Sequence, residues 1–266
     1  MLYLSSALQA NPAYSPAAGR LSAAFDCLNI EYQYIGHAKD IWLRDFMPIK
    51  TAAGKYISFR YEPSYLAHAP ELRTDYKADV APHLSLSVVD SAINLDGGNV
   101  VFSPSGRRAV ISDRVFAENP SCAPAALVRE VESLLEAQVI IIPSLKSDMT
   151  GHADGMVRFV DEHTVLGNQT AAKNGLEQKI KRILNRYGIE TVDFPYVPAR
   201  GISAVGCYLN FFETETHLFL PLFGIDRDAE AIAAANSFFP KKTVVPVPIS
   251  EIADGGGGLN CITWEA

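Results

Sequence analysis

The stretch Asn99–Pro143 decides the fold. It opens with N-V-V-F-S-P-S-G-R-R-A-V-I-S-D at residues 99–113. Two apolar runs flank a Pro-Ser-Gly turn, which is the pattern of a β-hairpin. Over Pro124–Ala137, Leu127, Val131, Leu134 and Leu135 fall on one face at helical spacing. Q-V-I-I-I-P at 138–143 is a short continuous apolar run, the signature of a buried strand. Hairpin, helix, strand is one α/β unit, and a polar loop ending in G-H-A-D (151–154) follows it.

The same order recurs on both sides, with a period of about fifty residues. M-V-R-F-V-D-E-H-T-V-L-G-N (156–168) predicts a hairpin, Gly175–Tyr187 a helix and I-E-T-V-D-F (189–194) a strand. The helix carries Leu176, Ile180, Ile183 and Leu184. C-Y-L-N-F-F-E-T-E-T-H-L-F-L-P-L-F (207–223), Asp226–Phe238 and T-V-V-P-V-P-I (243–249) repeat the order, with Asp226 as the expected helix cap. Upstream, M-P-I-K and Y-I-S-F-R-Y (47–61) predict two strands, Glu71–Ala81 a polar helical stretch and L-S-L-S-V-V-D (84–90) a strand. The two ends supply the last unit. Leu2–Ser5 and Leu259–Trp264 are expected to pair as strands. Ser15–Leu28 is expected to be a helix with Ser15 as N-cap and Pro16 at its first position, and I-E-Y-Q-Y-I (30–35) a strand. The expectation is one catalytic domain over 1–266, made of five hairpin–helix–strand units and closed by its terminal strands. Such closure leaves no bare sheet edge at the ends.

Four polar motifs fall in register with this period: W-L-R-D (42–45), L-D-G-G-N (95–99), G-H-A-D (151–154) and G-G-G-G-L-N-C (255–261). Each follows the last strand of a unit. If the units circle an axis, these loops meet at one end of it.

Their residue types suggest a chemistry. A glycine run ahead of Cys261 lets the backbone approach a ligand and leaves the thiol accessible; the plainer role of a lone cysteine is a small buried hydrophobe. No Lys-Ser or Lys-Thr follows the glycines, which excludes a P-loop. His152 titrates near neutrality and can give and take protons. In an extended segment, His152 and Asp154 face the same side. Asp45 and Asp96 read singly as an ion-pair or turn residue. Together, the motifs predict a ring of carboxylates around a thiol and an imidazole. Carboxylates beside a thiol disfavour its thiolate, so the arrangement calls for a substrate that brings positive charge. A planar guanidinium fits carboxylates bidentately, and its stabilised central carbon needs a strong nucleophile.

The net charge of −7 argues against a nucleic-acid surface and is compatible with a cationic substrate. Cys27, Cys122, Cys207 and Cys261 form no CxxC pair, so neither a metal cluster nor a disulfide framework is expected. Residues 1–10 carry no leader pattern and no apolar run is long enough to span a bilayer, so a cytoplasmic location without membrane contact is expected.

The motifs W-x-R-D-x-x-P, [D/E]-G-G-N, G-H-x-D and G-G-G-x-x-C-I-T resemble those of the agmatine deiminase and Porphyromonas-type peptidylarginine deiminase family. The resemblance spans nearly the whole chain, with the motifs in the family's order. It implies the pentein fold, a five-bladed pseudo-symmetric α/β propeller. It implies that Cys261 is the nucleophile, that His152 is the general acid/base, and that Asp45 and Asp154 bind the guanidinium. Asp96 stands where the family usually has Glu, as the partner that orients the histidine. Trp42, Asn99 and Gly258, from the same loops, complete the expected substrate-binding set, with core packing the plainer role for Trp42. The implied partner is a small cationic guanidino compound, with no metal and no cofactor. The chain is shorter than typical agmatine deiminases, so the identity of the substrate does not carry over with the chemistry. An amidinotransferase, a dimethylarginine-type hydrolase and a non-catalytic binding propeller stay open as alternatives, as does homo-oligomerisation. Arg114, Arg158 and Arg200 are candidates to meet a substrate carboxylate, with ordinary ion pairing the plainer role.

Overall fold

The structure, a computed structural model, describes residues 1–146, 148–169, 175–198 and 201–266. Arg200, one of the candidate arginines, lies outside them. Among the described residues, the chain is mixed α/β with five separate three-stranded sheets, none of them closed on itself. The strands, in chain order, are β1 (Leu2–Ser5), β2 (Tyr32–Ile35), β3 (Ile49–Lys50), β4 (Tyr56–Arg60), β5 (Val88–Asn94), β6 (Val100–Phe102), β7 (Arg108–Ser112), β8 (Gln138–Ile142), β9 (Val157–Phe159), β10 (Thr164–Asn168), β11 (Glu190–Phe194), β12 (Phe212–Glu213), β13 (His217–Leu222), β14 (Thr243–Pro248) and β15 (Thr263–Glu265).

The sheets share one plan. Two strands pair antiparallel and the next pairs parallel after a crossover, as in β6-β7-β8 and β12-β13-β14. A parallel partner cannot be reached by a tight turn, which is why a crossover segment stands between the second and third strand of each sheet. Helices Ser15–Cys27, Pro124–Leu135, Leu176–Arg186 and Asp228–Phe238 fill four of these crossovers.

The β4–β5 crossover departs from expectation. Instead of an α-helix over Glu71–Ala81 it holds short turns at Ser64–Leu66, Pro70–Leu72, Tyr76–Val80 and Ala81–His83. Residues 71–81 contain no proline; the break is at Asp75, which is extended and whose Oδ1 accepts from the Lys77 and Ala78 amides, so a separate turn starts at Tyr76. The caps also differ from the sequence reading. Ser15 lies inside its helix, whose N-cap is Tyr14. Asp228, not Asp226, collects the free amides ahead of its helix, accepting from Phe223, Gly224 and Ile225.

By packing, the chain divides into two compact units. One holds, of the described residues, 1–44, 168–169, 193–198 and 201–266; the other holds 45–146, 148–167 and 175–192. In the first, the terminal strands pair: β15 lies antiparallel to β1, with Tyr3 opposite Trp264 and their rings 5.4 Å apart. Its aromatic centre packs Phe25 edge-on against Phe219 at 5.0 Å. In the second, Leu127, Val131 and Leu135 are buried against Ile57, Ile111 and Val139. Ile180 and Leu184 are buried against Ile140, Val157 and Val165. Among the described residues, no helix is long and apolar enough to cross a membrane.

Candidate active site

In the unit that holds Asp45–Gly167, three motif loops meet around Gly98. Asp96 follows β5, and Gly97–Asn99 form a 3-10 turn. Asn99 fastens this turn to its neighbours: its Oδ1 accepts from the amides of Ser112 (2.9 Å) and Ala153 (3.2 Å). That second bond carries the G-H-A-D loop up to the D-G-G-N loop, so Asn99 shapes the site through backbone amides. His152 itself is extended, and Ala153–Gly155 turn as a 3-10 helix. The expected alternation of an extended H-x-D therefore does not hold. It is this turn that carries Asp154 to the Gly98 side. Thr150 and Gly151, held by Asp148 Oδ1, precede it, and Gly151 has a positive φ of 61°.

The absence of a side chain at Gly98 makes the cluster feasible. A Cβ there would lie 2.6 Å from Asp45 Oδ1, 2.8 Å from His152 Nδ1 and 3.4 Å from Asp154 Oδ2. The Gly98 amide donates to Asp45 Oδ1 at 3.2 Å. His152 stands between two carboxylates, with Nε2 2.8 Å from Asp96 Oδ2 and Nδ1 3.5 Å from Asp45 Oδ1. Asp45, Asp96, His152 and Asp154 are all buried.

Burial alone would discharge the imidazole, but Asp45, Asp96 and Asp154 outweigh it and hold His152 up to about 10. Burial likewise pushes the Asp45 carboxyl well above the usual carboxylate range; the neighbouring imidazole opposes that rise and the other two carboxylates add to it. The cluster is thus an acidic nest around one protonated ring. It can clasp a flat cation and can supply a proton.

The thiol lies in the other unit, and its surroundings explain the glycine run. Leu259–Ile262 form a helical turn, where a strand was expected, and only Thr263–Glu265 are extended. The first amides of a helical turn need partners from outside it. Asn210 supplies them: its carbonyl accepts from the Asn260 amide at 3.1 Å, and its Oδ1 accepts from the Cys261 amide at 3.3 Å. The Cys261 thiol donates to the same Oδ1 at 3.3 Å. A Cβ at Gly258 would lie 2.8 Å from Asn210 Oδ1, and one at Gly257 would lie 2.4 Å from the Trp42 ring. Those glycines are needed for close approach, and half-buried Trp42 is the wall they approach. The Arg44 Nε donates to the Asn260 carbonyl at 3.2 Å.

Two residues of this geometry are not among the sequence candidates. Asn210 sits in the apolar run Y-L-N-F-F, where a lone amide was the available signal. Tyr65, whose hydroxyl donates to Asp96 Oδ2 at 2.9 Å, sits in the aperiodic crossover and carries no signal of its own. Of the candidate arginines, Arg114 pairs with Glu118 at 2.8 Å and Arg158 is buried in β9. None of the four cysteines is disulfide-bonded, and Cys261 is the buried one. Among the described residues, no set of three or more His, Cys, Asp or Glu is placed to hold a metal ion.

The repeated sheets of two antiparallel strands and one parallel strand define an α/β fold class that solved structures share. The structure of the agmatine deiminase of C. jejuni, a Cys-to-Ser variant with substrate bound, superimposes with a TM-score of 0.76 over 99% of this chain and 92% of that one, at 16% identity. The DDAH of Pseudomonas aeruginosa gives 0.59 over 98% and 97%, at 12% identity. The chain belongs to the Porphyromonas-type peptidyl-arginine deiminase family, whose sequence profile matches residues 10–266. A Latilactobacillus sakei protein provisionally named agmatine deiminase is 24% identical over 209 residues, 64% of this chain and 57% of that protein. The agmatine deiminase of Pseudomonas aeruginosa (strain LESB58) is 37% identical over 78 residues, 29% of this chain and 21% of that one. The match to the first of these curated relatives therefore spans little more than half its length.

Proposed function

We propose that this protein is a hydrolytic deiminase of a small guanidino compound, agmatine- or arginine-like, working through a covalent Cys261 intermediate. The observation that carries the reading is the packing of Asp45, Asp154 and a protonated His152 around the bare backbone of Gly98. The nest sets three buried carboxyl groups against a single imidazolium, and such an excess of acidic groups is costly unless a second cation shares the site. Family membership and the fold shared with agmatine deiminases support the same reading.

In this mechanism Asp45 and Asp154 hold the guanidinium. The Cys261 thiolate adds to its central carbon, forming a C–S bond. The tetrahedral adduct collapses as one C–N bond breaks, and His152 protonates the departing nitrogen, which leaves as ammonia. A thiouronium-like amidino-enzyme remains. His152 then takes a proton from water as that water adds to the same carbon. Collapse breaks the C–S bond, freeing the thiolate and a ureido product. Asp96 orients the histidine through Nε2, and Trp42, Asn99 and Gly258 shape the substrate side. No metal or organic cofactor takes part.

The wider proposal is one catalytic domain over 1–266. Its five sheets would be the blades of a pentein propeller, with the β1–β15 pairing as the closing contact. We place the protein in the cytoplasm, acting on a free small molecule and not on nucleic acid or membrane; the unbridged cysteines suit a reducing compartment.

The test is a panel of agmatine, arginine, methylarginines and peptidyl-arginine, assayed for ureido product and for the amine released. At least one substrate should yield ammonia, and Cys261→Ser should lower turnover by about 10³-fold or more. Methylamine release would instead assign a dimethylarginine-type hydrolase. Product that forms only with an added amine acceptor would assign an amidinotransferase. No turnover of any guanidino compound would refute the reading.

A further inference from the structure

The Asp96 carboxylate does more than face His152. Its Oδ2 receives two donors: His152 Nε2 at 2.8 Å and the Tyr65 hydroxyl at 2.9 Å. The Tyr65 ring also stands edge-on to the imidazole, with centroids 6.3 Å apart. A carboxylate on a short Asp side chain can rotate about its last bond. A second donor on the same oxygen removes that freedom and fixes the direction from which the imidazole is gripped.

The segment that carries Tyr65 is itself anchored. The Ser64 amide and hydroxyl donate to Glu118 at 2.9 and 2.7 Å. Arg114 donates to Ser64 Oγ through its terminal nitrogen and to Glu118 through Nε, both at 2.8 Å. Leu66, the next residue along, is buried. An otherwise aperiodic crossover is thus nailed down on either side of one phenol. Burial, and then the adjacent Asp96 charge, raise the Tyr65 hydroxyl well above its ordinary range, so it stays a donor.

We propose that Tyr65 is a positioning residue for the reaction: by holding Asp96 it locks the His152 ring with Nε2 engaged and Nδ1 turned toward Asp45 as the nitrogen that exchanges protons. The proposal rests on the deiminase reading for its kinetic consequence and on geometry alone for its spectroscopic one.

The experiment compares wild type with Tyr65→Phe, which keeps the ring and removes the hydroxyl. Glu118→Gln, which loosens Ser64 but keeps the phenol, serves as second variant and carries the test if Tyr65→Phe does not fold. Nitrogen-15 NMR of the imidazole is read first, since it needs no substrate. The Nε2–H proton of His152 should exchange with solvent about tenfold faster in Tyr65→Phe, with a smaller effect in Glu118→Gln. With an active substrate, kcat should fall by about 10–100-fold, a part of the roughly 10²–10⁴-fold that proton transfer by a positioned side chain contributes, while KM stays within about twofold. Unchanged imidazole signals overturn the proposal whatever happens to kcat, because the effect would then bypass Asp96 and His152. Changed signals with wild-type kcat in an active enzyme also overturn it. If no guanidino compound is turned over by the wild type, the deiminase reading fails by itself, and the NMR comparison still decides whether Tyr65 holds the ring.

Discussion

At the scale of single residues, the motif loops carried their meaning in the sequence because glycine, aspartate, histidine and cysteine have few interchangeable roles. The sequence groups Asp45, Asp96, His152 and Asp154; Asp45, His152 and Asp154 lie around Gly98, and Asp96 pairs with His152 Nε2. Tyr65 and Asn210 were not. A tyrosine in a proline-broken segment and an asparagine in an apolar run show their purpose only through partners distant in sequence. The most consequential residue-scale property is the charge on His152. Its folded pKa of about 10 lies above the ordinary imidazole value of about 6.5. The group therefore contributes stability that is fully present below about pH 6.5 and is lost as pH rises through about 10. His152→Gln leaves the three carboxylates without their shared cation. At pH 6.5 it should destabilise the fold by roughly 3–5 kcal/mol, the usual effect of breaking a buried pair. Urea unfolding of both proteins at pH 6.5 and 10.5 should show that gap closing at the higher pH. A gap that is constant with pH would mean the ring is neutral in the folded protein.

At the scale of elements, hydrophobic period was the reliable guide. The helices Pro124–Leu135 and Leu176–Arg186 end within two residues of their expected bounds, because their apolar faces repeat without interruption. Where the pattern fails, in the β4–β5 crossover, prolines and polar side chains leave short turns whose hydrogen bonds are set by distant groups such as Glu118. The 3-10 turn Gly97–Asn99 is only three residues long, and its middle residue leaves no room for a side chain. Gly98→Ala would place a methyl 2.6 Å from Asp45 Oδ1 and 2.8 Å from His152 Nδ1, so both side chains must move. A displacement of about 1 Å at a reacting centre costs about 10²-fold in rate. Gly98→Ala should therefore lose ureido-product formation by about that factor while keeping a cooperative unfolding transition. Leu127→Ala, in a fully packed helix face, should do the reverse: about 2–5 kcal/mol of stability lost with kcat unchanged at 25 °C. Equal activity in Gly98→Ala and wild type would detach the nest from the chemistry.

At the scale of the molecule, the recurrence of hairpin, crossover and parallel strand was legible because each repeat must bury its own apolar strand faces, and that need recurs about every fifty residues. The packing boundary was not, since Arg44 and Asp45 fall in different units although they are neighbours in one motif. A tetrapeptide chosen for its chemistry says nothing about which core claims each half. The pairing of β1 with β15 has a consequence for connectivity. The Ala266 amide donates to the Met1 carbonyl at 3.1 Å, so the two ends of the chain are already neighbours in an antiparallel ladder. Joining Ala266 to Met1 through a linker of about five Gly and Ser residues should cost little loop-closure entropy. The chain can then be opened between Ala53 and Gly54, at the exposed turn between β3 and β4. Such a permutant should fold cooperatively, with an unfolding free energy in urea within about 1–2 kcal/mol of the parent. A molten or aggregated product would mean that the terminal strands contribute to folding only when they are free to add last, and that the ladder between them does not serve as an ordinary sheet edge.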